Sequence, residues 1–367
     1  MKIGITGADG LIGWHIRAYL RAHRPAIEIA LATRPTFADA ARLQAFVQGC
    51  DAIVHCAGIN RGTDDEVRDG NIQLAQQLAD AASKSPAFPH IVFTNSTHAR
   101  SDSVYGLAKR KAAKILSDTA THKNGLFTNL ILPHVFAEFG RPFYNSVVST
   151  FCHKLAHHES PSIQTDGMLT LVHAQEVAAC AIAAIEQKLS SEHAMGGRQM
   201  RVSELLEKLH SIQSQYVEQL TIPALADPFD LALFNTWRSY RYPAQTKVPL
   251  TLREDVRGHL FEAVRTIHGG QAFMSTTHPG ITRGNHFHTA KIERFLVCAG
   301  EAEIAIRKLF STEVTRFKVS GASPCFIDMP TFHTHSITNI GAGELVTLFW
   351  AHELFDPARP DTFAEPV

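Results

Sequence analysis

Apolar and polar positions follow two different periods along this chain. In the first half, short apolar runs at residues 3–6, 27–32, 51–56, 90–94 and 128–133 have the length and texture of buried strands. Between them, residues 11–23, 72–83 and 105–117 repeat apolar side chains every three to four positions, as helices with one buried face do. Further helical stretches follow at 174–187 and 202–214. Strands separated by helices need crossover connections, so the pattern predicts an α/β fold with a doubly wound, Rossmann-type parallel sheet. From about Tyr240 the period changes. Runs such as 302–307, 314–319 and 345–350 are short, and Gly, Pro and Asp separate them. That texture predicts an all-β domain of antiparallel strands. The break falls at Tyr242-Pro243, which gives expected domains at 1–243 and 244–367.

Composition narrows the function classes. The 367 residues are 45% hydrophobic and 19% charged, enough apolar material for two cores. Basic and acidic residues balance at 35 each, which gives no electrostatic footprint for nucleic acid or an anionic membrane. No apolar run approaches the ~18–20 residues that span a bilayer, and the first residues lack a signal peptide's apolar segment. Six scattered cysteines without a C-x-x-C pair fit free thiols, so a cytoplasmic location is expected. Histidine, at 21 residues, is the unusual count, and it serves metal binding and proton transfer.

Gly7-Ala8-Asp9-Gly10-Leu11-Ile12-Gly13 lies between the first expected strand and the first helix. Small residues there let the backbone approach a pyrophosphate, which rests on the free N–H groups of the helix start. Gly7, Gly10, Leu11, Ile12 and Gly13 are therefore expected to contact a dinucleotide. The second strand leaves as Ala32-Thr33-Arg34, without the acidic residue that bonds a ribose 2′-hydroxyl, and Glu28 stands too early in the strand. A guanidinium at Arg34 suits a 2′-phosphate, so NADP(H) is the expected cofactor.

Tyr105 and Lys109 form Y-x-x-x-K on an expected helix, where residues four apart share a face. An ammonium beside the phenol would lower its pKa and suit it to deliver a proton to a ketone under reduction. Ser96, at the end of a strand, can hydrogen-bond the same oxygen. The order of glycine loop, Ser96, Tyr105 and Lys109 resembles the extended short-chain dehydrogenase/reductase family. Asp51-Ala52-Ile53-Val54-His55-Cys56-Ala57-Gly58 and Pro133 add to the likeness, which covers roughly residues 1–240. The resemblance implies that Tyr105 is the catalytic acid, Lys109 its partner and a ribose ligand, and Ser96 the group that orients the carbonyl. It also implies cofactor contacts at Ala57, Gly58 and Pro133. Ser96 precedes Tyr105 by fewer residues than in many relatives, so Thr97 stays open for its place.

The C-terminal half carries Gly280-x5-His286-Phe287-His288-x4-Glu293-x6-Gly300. His286 and His288 share one face of a strand. A second group holds Pro330, His333, His335 and Asn339. The spacings resemble the two cupin motifs, although Phe332 stands at a usual glycine. Cupins are small double-sheet β domains. The resemblance implies His286, His288, Glu293 and His335 as ligands of a divalent metal, zinc first, with Fe, Mn or Ni also admitted by the donor set. His333 and Lys291 stand beside them.

Residues 143–148, 255–258, 279–286 and 355–362 extend the likeness to the whole chain, which resembles the bifunctional capsular polysaccharide enzymes of the CapF/WbjC family. The resemblance implies a UDP-4-keto-6-deoxy-N-acetylhexosamine as substrate. The cupin would epimerise C3, and the reductase would then reduce C4 with NADPH to UDP-2-acetamido-2,6-dideoxy-L-talose, on the route to N-acetyl-L-fucosamine. The chemistry is coherent, because a C4 ketone acidifies the C3 proton and a divalent cation stabilises the charge left behind. Asn145 and His173 are the expected sugar contacts. A homodimer through the cupin is implied as well. The competing expectation is a monofunctional nucleotide-sugar reductase or epimerase with a purely structural cupin.

Overall fold

The computed structural model describes residues 1–367. Two compact units emerge, one from residues 1–147 and 165–202, the other from 148–164 and 203–367.

The first unit is built on a six-stranded parallel sheet. Its strands run in the order Glu28–Ala32, Lys2–Thr6, Ala52–His55, His90–Ser96, Phe127–Leu132 and Glu192–Ala194. The central strands are buried along their length, as strands covered on both faces are. One apolar cluster covers each face. Leu43, Val47, Leu78, Leu116 and Phe93 lie in one, and Ile3, Ile5, Ile16, Leu20, Val177 and Ile182 in the other. The strand order reverses direction at Lys2–Thr6, so the carboxyl ends of that strand and of Ala52–His55 flank a crevice where doubly wound sheets take ligands.

The helix expected at 72–83 begins earlier, as Asp64–Ser83. Thr63 and Glu66 form a capping box at its start, and that signal outranks the weak apolar period of its first turns. The helices Ala40–Gln48, Val147–Ala156 and Pro228–Ser239 are further elements that the sequence reading did not include.

The second unit carries the antiparallel strands. Five form one sheet in the order Lys247–Pro249, Cys325–Asp328, Glu293–Ala299, Leu345–Ala351 and Gln271–Thr277. Five form another in the order Val314–Ser320, Glu301–Lys308, His333–Asn339, Thr282–Phe287 and Phe363–Ala364. Their inward faces supply the core of Phe295, Val297, Ile304, Ile306, Ile327, Ile337 and Phe349.

The compact units do not divide at the expected break of 243/244. Residues 203–239 pack with the β-sheets because Tyr216, Phe234 and Trp237 are buried there, and the Tyr216 hydroxyl donates to Asp328 at 2.7 Å. Asp328 in turn pairs with the buried Arg294 across neighbouring strands at 2.7 Å. A change of texture marks where strands begin, whereas a compact unit is set by which apolar faces meet. No helix is long and apolar enough to cross a membrane.

Candidate functional site

The glycine loop sits where the sequence places it. Gly7 follows the strand Lys2–Thr6 with φ of +64°, and a β-carbon there would stand 2.8 Å from the Ala57 nitrogen. A β-carbon on Gly13 would stand 2.3 Å from the Gly7 carbonyl oxygen. Neither position tolerates a side chain, so strand end, loop and helix start close on one another. Gly10 is the N-cap of the helix Leu11–His23 and offers no side chain to its free N–H groups. Those donors stay available to a phosphate. Leu11 and Ile12 open that helix, and Ala57 and Gly58 leave the neighbouring strand Ala52–His55. Pro133 directly follows the strand Phe127–Leu132.

Arg34 opens the short helix Arg34–Phe37 just beyond the second strand, and its exposed guanidinium has no ion-pair partner. Glu28 is the first residue of that strand and is paired with Lys2 at 2.6 Å, remote in sequence from the carboxyl end.

Tyr105 and Lys109 lie on the helix Val104–His122. The helix start is pressed against the turn Thr97–Arg100. A β-carbon on Gly106 would stand 2.3 Å from the His98 carbonyl oxygen. That approach brings the Tyr105 ring to 6.2 Å from the His98 ring, edge to face. Lys109 is 5% exposed. Its ammonium donates to the Thr94 carbonyl at 2.8 Å and lies 4.0 Å from the Phe93 ring centroid. Burial pushes its pKa down to about 7.

The expected lowering of the Tyr105 pKa is not what the isolated chain shows. Burial moves the phenol upward instead. Desolvation acts on the phenol unopposed, the ammonium being turned to the Thr94 carbonyl. Ser96 ends the strand His90–Ser96, and its hydroxyl oxygen accepts from the His98 N–H at 3.2 Å. The hydroxyl proton remains for another acceptor.

The two expected sugar contacts differ in setting. Asn145 is exposed in left-handed backbone (φ +57°), and its amide donates to the Asn60 carbonyl at 2.8 Å. His173 is turned inward, 6% exposed. Its Nε2 pairs with the buried Glu138 carboxylate at 3.0 Å, and its Nδ1 accepts from the Gln175 N–H. Both ring nitrogens are engaged, so the role open to His173 here is to cap the helix Ala174–Glu186. Although burial alone would raise it, the Glu138 pKa is held low by that imidazole.

In the second unit, donor atoms of His286, His288, Glu293 and His335 all lie within 4.8 Å of one another. His286 and His335 face each other across paired strands, and Glu293 opens the strand of the other sheet. Glu293 Oε2 stands 3.8, 3.0 and 3.7 Å from Nε2 of His286, His288 and His335. Those three nitrogens are buried and have no partner other than this carboxylate. Buried orphaned acceptors around one carboxylate are a costly arrangement unless a cation joins them, so the residues fit a divalent metal. Against the effect of its own burial, the surrounding imidazoles hold the Glu293 carboxyl well below the usual range. Burial takes His335 down to about 4, the neutral form that ligates.

Sequence reasoning missed what orients His288. Its Nδ1 lies 2.6 Å from the Asp361 carbonyl oxygen. The Asp361 carboxylate accepts from the N–H groups of Thr289, Ala290 and Lys291 and from the Thr289 hydroxyl. Asp361 lies far along the chain from these partners, and no local spacing points to it. Lys291 is buried with its ammonium on the Pro360 carbonyl, and His333 Nδ1 is 2.9 Å from the Thr331 carbonyl.

Comparison with known proteins follows the same division. Residues 3–196 match the NAD dependent epimerase/dehydratase family, and residues 253–363 match the polysaccharide biosynthesis C-terminal domain. A curated UDP-2-acetamido-2,6-beta-L-arabino-hexul-4-ose reductase of Pseudomonas aeruginosa is 31% identical over 99% of this chain and 98% of its own. The crystal structure of the capsular polysaccharide assembling protein CapF from Staphylococcus aureus covers all of both chains at 29% identity, with a TM-score of 0.63. The UDP-glucose 4-epimerase of Thermus thermophilus in complex with NAD shares the fold over 58% of this chain and 84% of its own, at 17% identity and a TM-score of 0.51.

Proposed function

This chain belongs to the NAD dependent epimerase/dehydratase family, and on that premise we propose that it is a two-step enzyme of nucleotide-sugar metabolism. The substrate is a UDP-4-keto-6-deoxy-N-acetylhexosamine. The second unit, read as a cupin, inverts C3, and the first reduces C4 with NADPH to UDP-2-acetamido-2,6-dideoxy-L-talose. The observation that carries the reading is the presence in one chain of two kinds of site. One is Tyr105 with a desolvated Lys109 beside a glycine loop, and the other is the four converging ligands. The curated relative, a reductase of a UDP-linked 4-ketose by name, supports the second step.

In the reductase half, the Gly7–Gly13 backbone holds the pyrophosphate and Arg34 the 2′-phosphate. Ser96 and Tyr105 orient the ketone oxygen and Tyr105 gives it a proton; NADPH, when bound, would supply the hydride to C4. Lys109, once beside the anionic cofactor, regains its charge and favours the phenolate that remains. Asn145 contacts the sugar. In the cupin half, a basic side chain takes the C3 proton and a proton returns on the opposite face, while His286, His288, Glu293 and His335 would hold a zinc ion whose Lewis acidity would stabilise the intervening charge. Asp361 keeps His288 in the tautomer that offers Nε2. The chain works as a cytoplasmic homodimer through its cupin.

The test is incubation of the UDP-4-keto sugar with NADPH in deuterated buffer, with NMR of the product. The proposal expects stoichiometric NADPH oxidation and deuterium at C3. NADPH oxidation without C3 exchange would leave a monofunctional reductase with a structural β domain. Absence of NADPH oxidation would refute the reductase step.

A further inference from the structure

Beneath the reductase site, a row of buried amides crosses the sheet and ends on Ser96. Asn95 precedes Ser96 on the strand His90–Ser96 and is 4% exposed. Its Oδ1 accepts from the Ser96 N–H at 2.8 Å. Its Nδ2 donates to Oδ1 of Asn129, on the next strand, at 3.0 Å. Asn129 is 8% exposed, and its own Nδ2 donates to Oε2 of Glu192, on the strand beyond, at 2.9 Å. Glu192 is exposed at the sheet edge.

The direction of this row is forced from its outer end. An ionised carboxylate can only accept, so Asn129 must turn its amide nitrogen toward Glu192 and its oxygen toward Asn95. Asn95 must then turn its nitrogen to Asn129 and its oxygen to the Ser96 N–H. The peptide of Ser96 is thereby fixed from below while its hydroxyl is fixed from above by the His98 N–H. A buried amide pair left without partners would be costly, so the row resists displacement.

We propose that Asn95 and Asn129 are positioning residues that hold Ser96 in register with Tyr105 for the ketone oxygen, while Glu192 only offers the row an outer acceptor that a glutamine can replace. The inference rests on the reductase reading above. A carbonyl reduced by hydride transfer needs its oxygen held by two donors at once. A strand end with no anchor beyond its ladder bonds would leave one of them loose.

The experiment exploits the fact that an amide row can be reversed. In Asn95→Asp the new carboxylate still accepts from the Ser96 N–H but repels the Asn129 oxygen. Asn129 cannot turn round, because its oxygen would then face Glu192. With Glu192→Gln added, the glutamine amide donates to the turned Asn129. That amide then donates to the carboxylate introduced at position 95, and the row is complete in the opposite direction. Glu192→Gln alone keeps an acceptor for Asn129.

The expected result, with the full chain at pH 8, the UDP-4-keto sugar and NADPH, is a kcat for N95D lower by roughly ten- to a hundredfold. Misplacement of a reacting partner by about an ångström has such an effect. The KM for NADPH stays within about twofold, E192Q alone stays within about twofold of wild type, and N95D/E192Q recovers most of kcat. Recovery through a remote sheet-edge residue is a readout that a merely structural asparagine would not give. Should N95D fail to fold by circular dichroism, N129D with and without E192Q decides instead, since its carboxylate meets the same repulsion from Glu192. Wild-type kcat in the single variant, or no recovery in the double, overturns the inference. A wild-type chain that oxidises no NADPH overturns the reductase reading itself and the inference with it.

Discussion

At the scale of single residues, the buried ammonium of Lys109 has the clearest measurable consequence. Its folded pKa is about 7, against an ordinary value of 10.5. Between those values the unfolded chain holds a proton that the folded, cofactor-free chain has shed. Folded stability therefore rises with pH across that window, by up to ~1.4 kcal/mol per pH unit from this group. Chemical denaturation of wild type and Lys109→Met at pH 7 and pH 9 should show the rise in wild type and a smaller one in the variant. Equal slopes would mean that the ammonium stays charged when buried. Tyr105 carries the matching prediction for chemistry. Removing its hydroxyl in Tyr105→Phe leaves packing intact and takes away the proton donor. NADPH oxidation should fall by ~10²–10⁴-fold while NADPH still binds, as measured by fluorescence titration. Both residues were legible in the sequence, because Y-x-x-x-K is a local helical spacing. The direction of the Tyr105 shift was not, because its burial depends on how the turn at His98 folds against the ring once the chain has packed.

At the scale of elements, the segment that follows the last long strand supports the metal cluster at two points. Phe363–Ala364 adds a short strand beside His286 and Phe287. Asp361 meanwhile collects the N–H groups of the loop after His288 and presents its carbonyl to the ring of His288. Removing such an outer partner typically weakens metal affinity by ~10–100-fold. Asp361→Ala keeps that carbonyl but removes the carboxylate that ties its segment to residues 289–291, so the carbonyl loses its fixed place and zinc should pass to a chromophoric chelator at a lower chelator concentration. An unchanged competition curve would show that the carbonyl holds His288 without the anchoring carboxylate. The His286, His288, Glu293 and His335 cluster was readable as a spacing on strands. Its outer partner was not, since a contact separated by some seventy residues leaves no periodic trace. His173 is a different case, because its two nitrogens already have partners within the chain, Glu138 and Gln175.

At the scale of the whole molecule, the extent of the second unit decides which pieces of the chain can stand alone. Phe234 and Trp237 are wholly buried, and burial of side chains of this size contributes ~1.5–3 kcal/mol each. The Tyr216 hydroxyl also completes the partners of Asp328. A fragment starting at Ser203 should thus melt on the order of 10 °C above one starting at Ala244. Calorimetry of the two fragments tests this, and equal melting temperatures would restore the break at 243/244.

The amino-acid sequence by itself determined the elements and their local spacing: strands and helices in alternation, the glycine loop, the Tyr105–Lys109 pair and the three histidines and one glutamate of the C-terminal cluster. Each is written in spacings of a few residues, where side-chain direction follows from backbone period. The tertiary structure alone decided how far Lys109 is discharged, which carbonyl steers His288, how Ser96 is anchored through Asn95 and Asn129, and where the compact units divide. Those outcomes depend on desolvation and on partners brought together from distant segments, and such terms exist only once the chain has packed.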